Sequence, residues 1–262
     1  MFYYGYDLAK SKVLPVTTLV VLQPGYLPWL GYFDQMQQAD IFVHLDDVNF
    51  DKHGWRNRNQ VKGPQGASWL TVPILHSGRF GQSILDVEID HRRDWQRKHL
   101  ATLRQFYARA PFIETVIPQL IPLIERRWKR LVDLDLAIVE WLASTLGITT
   151  PCFRSSQLGI AGERSDRLLS LCQNFDATRY LSGSAARDYL DVDKFSRAGI
   201  QVIWQDYAHP TYRQQHGSFV AYLSTIDLIL NEGPASLGIL SSRRRLPGHL
   251  GDIGISIDDK RD

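Results

Sequence analysis

Cysteine is scarce in this chain, with 2 in 262 residues, and Cys152 and Cys172 form no CxxC pair. That excludes a disulfide framework or a zinc ribbon and fits buried thiols in a reducing cytoplasm. Long apolar runs are missing too, none nearing the roughly 18 residues of a membrane-spanning helix. Charge of either sign is not in excess, with 30 Lys and Arg against 28 Asp and Glu and a formal net charge of +2. Nucleic acid is therefore not the expected partner, because that footprint needs a concentrated basic face. The 8 histidines show no HxxxH, HxH or HExxH spacing, so no metal site is expected. No Gly-x-Ser-x-Gly elbow and no internal repeat occur. The N-terminus, Met1-Phe2-Tyr3-Tyr4-Gly5-Tyr6, has neither a basic region nor a small-residue cleavage site. Residues 1–16 read as a leader rather than a secretory signal.

What is present is an ordinary apolar content of 44%, enough for a full core. Leu19-Val20-Val21-Leu22 reads as a strand. A turn with Pro24, Gly25 and Pro28 follows, then a helix to about Ala39 and a second strand, Ile41-Phe42-Val43-His44-Leu45. Strand, turn, helix and strand in so short a span is the plan of a parallel α/β unit. Trp69 to Ile74 and Ile84 to Ile89 read as further strands, the second half-exposed by its alternation. Residues 92–147 read as a mainly helical insertion, punctuated by Pro118 and Pro122 and stopped by Gly147. Short strands then lie around Cys152, Tyr180 to Ser182 and Ile200 to Trp204. Helices are expected from Glu163 to Cys172 and from Ser218 to Leu230. Residues 17–234 are expected to form a single α/β domain. The Arg243-Arg244-Arg245 run and the glycines after it mark 235–262 as a partly disordered tail.

In parallel α/β units ligands sit at the carboxyl ends of the strands. The turn Gln23 to Tyr32 and the stretch after Asp46 should therefore share a crevice. The turn is similar to the opening of nucleotidyltransferase-like α/β enzymes, such as pantothenate synthetase and the class I aminoacyl-tRNA synthetases. Their core is a Rossmann-like parallel sheet, and their helix start holds phosphate with two histidines. Both histidines are absent here, so binding is expected through backbone amides, Gln23, Tyr26, Gly31 and Tyr32. Asp46-Asp47 could bind a cation, supply a base, or simply form a turn. Lys52, Arg56, Asn57, Arg58 and Asn59, beside Phe50 and Trp55, suit a phosphate, a carboxylate or a sugar. His99 titrates in the right range for a general base, although a lone helical histidine is more often structural. Ser182-Gly183-Ser184 with Tyr189 forms a Gly/Ser turn able to cradle an anion. Tyr212 and Gln214 could close the crevice from the C-terminal side.

Several blocks in order resemble the WbqC-like proteins. They include Gln23-Pro24-Gly25-Tyr26-Leu27-Pro28-Trp29-Leu30-Gly31-Tyr32-Phe33-Asp34, Leu45-Asp46-Asp47-Val48 and Trp55-Arg56-Asn57-Arg58-Asn59. Trp69-Leu70-Thr71-Val72-Pro73, Lys98-His99, Tyr180-Leu181-Ser182-Gly183-Ser184, Tyr189-Leu190-Asp191, Tyr212-Arg213-Gln214 and Leu223-Ser224-Thr225-Ile226-Asp227 match as well. Gly25 departs from the polar residue usual in that family. The resemblance implies a bacterial protein of surface-polysaccharide (O-antigen) synthesis, associated with adding an aminoacyl or other acyl group to amino sugars. It makes a sugar nucleotide the expected partner and an acyl donor, aminoacyl donor or ATP the expected co-substrate. On that reading His99 or Asp47 is the base. Lys52, Arg58 or the Ser182 to Ser184 amides meet the oxyanion, and Asn57, Asn59 and Tyr212 orient the sugar. The alternative is a non-catalytic sugar- or nucleotide-binding protein of the same pathway.

Overall fold

A computed structural model describes residues 16–51 and 54–242. β1 (Thr18–Leu22), α1 (Leu30–Gln38) and β2 (Ile41–His44) form the expected opening unit. A hairpin of β3 (Arg58–Gly63) and β4 (Gly66–Thr71) follows. Then come α2 (Trp95–Phe106), α3 (Ile113–Glu125) and α4 (Leu131–Leu146). The chain continues through β5 (Cys152–Arg154), α5 (Ser155–Leu158), α6 (Arg164–Asn174), β6 (Arg179–Ser182), α7 (Val192–Arg197) and β7 (Gln201–Trp204). α8 (Thr225–Glu232) and α9 (Ser236–Ser241) end it.

The main sheet is parallel, in the order β5-β2-β1-β6-β7. Its inner strands β2, β1 and β6 are largely apolar on both faces because both faces are covered, whereas the edge strands β5 and β7 are more exposed. Val20, Phe42 and Leu181 pack under α1, the 92–147 helices and α8, whereas Leu19, Val21, Val43 and Tyr180 pack against Leu171 of α6 and Phe195 of α7. β1 is central. The chain steps outward through β2 to β5, then returns to lay β6 on the other side of β1. Loops leaving β1 and β6 therefore part, and a crevice opens at their carboxyl ends. No helix among the described residues is long and apolar enough to cross a membrane.

Five elements differ from the sequence expectation. β3 falls in a stretch expected as loop, because Val61 is its one aliphatic side chain; the Gly63–Gly66 turn closes the hairpin. Ile84 to Ile89 is no strand. Ile84 and Val87 are buried three positions apart, the repeat of a 3₁₀ turn, and Ile84–Asp86 is one, capped by Ser83. Pro118 and Pro122 lie inside α3 rather than breaking it. Both are exposed, as is Glu114, so the carbonyls they leave without an N–H partner face water. α8 starts at Thr225 rather than Ser218, because residues 218–224 are bound elsewhere. Ser224 N–H donates to Gln60 O at 2.9 Å, and the Lys62 ammonium donates to Ser218 O. Ser236–Ser241, inside the expected tail, is helical with Leu240 buried, whereas the Arg243 to Arg245 run lies outside the described residues.

Buried Asp227 on α8 organises this C-terminal layer. It accepts from the hydroxyls of Tyr107 at 2.6 Å and Tyr212 at 2.8 Å, and from Gln214 Nε2 at 2.9 Å. Asp227→Ala strands those donors in the core, where each unmet group costs about 1–3 kcal/mol. Urea unfolding should show at least ~3 kcal/mol lost; a loss under ~1 kcal/mol would mean that the layer re-forms without its carboxylate.

Candidate functional site

The turn after β1 is held by backbone contacts. Arg56 Nη1 donates to Gln23 O at 2.9 Å and Pro24 O at 3.0 Å, while Tyr26 N–H donates to Arg56 O at 2.9 Å. Gly25 lies so close to the second loop that a Cβ there would stand 2.7 Å from Trp55 O. This gives the glycine a steric reason. Leu27 takes the left-handed backbone region at φ 46°, disfavoured for a branched side chain, and Asn59 Nδ2 holds its carbonyl at 2.7 Å. At Gly31 a Cβ would meet the Trp29 indole at 2.1 Å, so the glycine lets that ring cover the first turn of α1.

A cavity of about 640 Å³ opens in the crevice between β1 and β6. Gln23, Trp29, Tyr32 and Gln35 line one side, Ser182 and Gly183 the other, and Arg56 and Asn59 the third. Trp55, Tyr189 and Tyr222 edge the mouth, each about half-exposed or more. Gln35 Nε2 donates to Gln205 Oε1 at 2.7 Å, while its own buried Oε1 has no partner among the described residues. The charge on the wall is positive. Burial lowers the pKa of Arg56, opposed by Asp135. Asp135 on α4 is itself buried with neither oxygen hydrogen-bonded among the described residues, and burial pushes its pKa well up against the pull of Arg56. Tyr32 and Gln35 lie three apart on α1, a helical spacing that marks one face from sequence alone, and Trp29 is the residue that caps it. Trp29, Gln35 and Tyr222 are nonetheless absent from the expected binding set, whereas Arg56 and Trp55 belong to the stretch expected to suit a ligand.

Of the expected residues, Gln23, Tyr32, Asn59, Ser182, Gly183 and Tyr189 line this cavity. The others do not. Tyr26 is fully buried, and its hydroxyl meets His99 Nδ1 at 2.9 Å. His99 sits in the core beside Trp95, where burial lowers its pKa to about 4, partly offset by a hydrogen bond to the Thr71 backbone. Asp46 is also fully buried: Oδ1 accepts from Ser156 N–H at 3.0 Å, and Oδ2 accepts from Arg154 Nε at 2.6 Å. Burial pushes its pKa up, but the bonds from Ser156 and Arg154 outweigh it and the net direction is down. Asp47 meets Ser155 Oγ at 2.6 Å and the Arg167 guanidinium. These two carboxylates clasp β2 to β5 and the start of α5. Tyr212 and Gln214 are bound to Asp227, and Ser184 starts a 3₁₀ turn beyond the cavity lining. Asn57 and Arg58 line a second cavity of about 560 Å³. Lys52 lies outside the described residues. Among those described, no group of three His, Cys, Asp or Glu side chains is placed to hold a metal.

The fold and cavity define an α/β protein with a ligand-sized pocket at the carboxyl ends of a parallel sheet. The chain belongs to the WbqC-like protein family, whose model matches residues 23–239. It is 36% identical over 217 residues to the uncharacterized protein Rv1507c of Mycobacterium tuberculosis, covering 82% of this chain and 94% of that one. No solved structure matches it.

His44 is the second buried imidazole. Its Nδ1 meets the Tyr32 hydroxyl at 3.1 Å, and burial lowers its pKa to about 4, offset in part by Asp46. His44 and His99 thus stay neutral in the fold from their ordinary 6.5 down to about 4, while the unfolded chain protonates both. At these two groups the unfolded state binds more protons in that window, so the stability they contribute should fall as pH drops from 6.5 to 4 and level off below. The upper bound is about 3 kcal/mol per histidine. Urea denaturation across this range should show the loss, and His99→Gln should flatten the slope by about half; an unchanged slope would assign it to other groups.

Proposed function

We propose that the first cavity binds a nucleotide-linked amino sugar, within a nucleotidyltransferase-like frame, in the synthesis of bacterial surface polysaccharide such as O-antigen. This reading makes the protein a cytoplasmic one. The observation that carries it is the composition of the cavity wall: one guanidinium, two carboxamides and Asn59, a serine at a strand end, and aromatic rings at the mouth. Amides and serine suit sugar hydroxyls, arginine suits the diphosphate, and the half-exposed rings suit the flat faces of a base or sugar. ATP as the occupant fits less well. The turn has no histidine, two of its carbonyls face Arg56, and the Trp29 indole covers the start of α1.

Acyl or aminoacyl transfer to the sugar amine is the second reading, supported by the family resemblance and by the Tyr32–His44 pair. An amine attacking an acyl donor forms an N–C bond, expels the donor's leaving group and releases one proton. The Tyr32 hydroxyl, backed by neutral His44, is the wall group able to pass that proton on. His99 and Asp47 are committed to other partners. Binding without catalysis therefore draws more on the geometry than transfer does.

The test is thermal stabilisation with UDP- and dTDP-linked amino sugars. A ligand at 100 times its Kd adds roughly 2.7 kcal/mol, a shift of several degrees. Tyr189→Ala and Tyr222→Ala, both at exposed positions, should each weaken binding about tenfold, about 1.4 kcal/mol, without lowering the unliganded Tm. No shift with any amino-sugar nucleotide would refute the reading. If binding is seen, mass spectrometry of the sugar after incubation with acyl donors separates transfer from binding. A transferase should lose turnover but keep affinity in Tyr32→Phe.

A further inference from the structure

The segment after Trp55 divides two cavities. Arg56 and Asn59 line the first, whereas Asn57 and Arg58 line the second, a cleft of about 560 Å³. The second cleft differs in chemistry. Arg58, Arg79, Arg92 and Arg93 line it with His76, against one lining carboxylate, Asp90. Its floor is the apolar run Val72 to Leu75.

Two of the arginines are held by carboxylates, and positive charge is left over. Arg92 grips Asp90 through Nε and Nη2, both at 2.8 Å, leaving its Nη1 edge unused by that pair. Arg79 meets Glu88 through Nη1 at 2.9 Å, and Lys129 shares that carboxylate at 3.5 Å. Arg58 lies over the Trp69 ring at 4.6 Å, which fixes its plane. Arg93 forms no ion pair among the described residues, although Asp90 lies within its field. Counting Glu88 and Lys129 as well, positive charge exceeds negative around the cleft. Planar guanidinium forks on fixed stems suit phosphate oxygens, and several converging on one cleft suit more than one phosphate.

We propose that this second cleft is a binding site for a diphosphate-bearing ligand, separate from the sugar-nucleotide cavity. The arginines take the diphosphate, and the volume above the Val72 to Leu75 floor takes the organic part. Asn57 fixes the wall through a bond from Nδ2 to Val72 O at 2.9 Å. The inference uses no residue of the first cavity and stands or falls apart from the function proposed for it.

Isothermal titration of the full chain with inorganic pyrophosphate at low salt tests this. Saturable binding at one site is expected, weakening at least tenfold when salt is raised fourfold. Inorganic phosphate should bind at least tenfold more weakly than pyrophosphate. R93E, at an exposed position, and R58Q should each weaken pyrophosphate binding at least tenfold with the Tm unchanged. Tyr189→Ala, at the mouth of the first cavity, should leave it unaltered. ADP and UDP, counted only by the binding that the R58Q/R93E double variant loses, then distinguish sources: tighter binding than pyrophosphate marks a nucleotide, equal binding a ligand read through its diphosphate alone. The proposal is overturned if pyrophosphate gives no saturable binding at millimolar concentration, if phosphate binds as well, or if a folded R58Q/R93E double variant binds like the native chain.

Discussion

The upper face of the protein depends on one arginine. Arg56 donates to the carbonyls of Gln23 and Pro24, and its own carbonyl takes the Tyr26 N–H. The exit of the central strand is thereby tied to the segment leading into the β3–β4 hairpin. Hydrogen bonds from a charged donor contribute about 1.5–3 kcal/mol each, against the cost of burying the guanidinium. The balance is not fully met locally, since Arg56 Nε has no hydrogen-bond partner among the described residues and Asp135 acts on it only through space. The clamp also fixes what surrounds it. It needs Gly25, because any Cβ would collide with Trp55 O, and it sets Leu27 in an unfavourable backbone region that Asn59 then secures.

Much of the sheet is legible in the sequence, because fully covered parallel strands are continuous apolar runs. β1 and β2 are of that kind, while β6 is a shorter apolar stretch and the edge strand β7 is only partly covered. β3 is not, because its burial rests on Lys62 and Asn59 as much as on Val61. Their partners, Ser218 O and Leu27 O, lie far along the chain. The same distance effect misdirects the polar candidates. Asp46 meets Ser155 across 109 positions, and Tyr107 meets Asp227 across 120. A polar residue whose partner is that remote looks like an unspent functional group when only local spacing is visible. Gln23, Tyr32, Ser182 and Gly183 escape this error. Strand ends on either side of a central strand converge by topology, whatever the chain between them does.

The segment 56–59 also shows how little separation two sites require. Four consecutive residues form a partition, contributing Arg56 and Asn59 to one cavity and Asn57 and Arg58 to the other. The wall is stiffened by pairing from Arg58 onward with β4 and by the Asn57 bond to Val72 O. Both cavities thus share one short backbone segment.

The central position of β1 has a consequence for synthesis. β2 is made directly after β1 and can pair with one edge at once. The other edge belongs to β6, where Thr17 and Thr178 meet across 161 positions. At roughly 5–20 residues per second, the ribosome needs on the order of ten to thirty seconds to deliver that partner. Throughout that interval the most apolar strand of the nascent chain presents an open edge. The arrangement that places the crevice at the middle of the finished sheet also makes its first strand a natural client for chaperones before the sheet is complete.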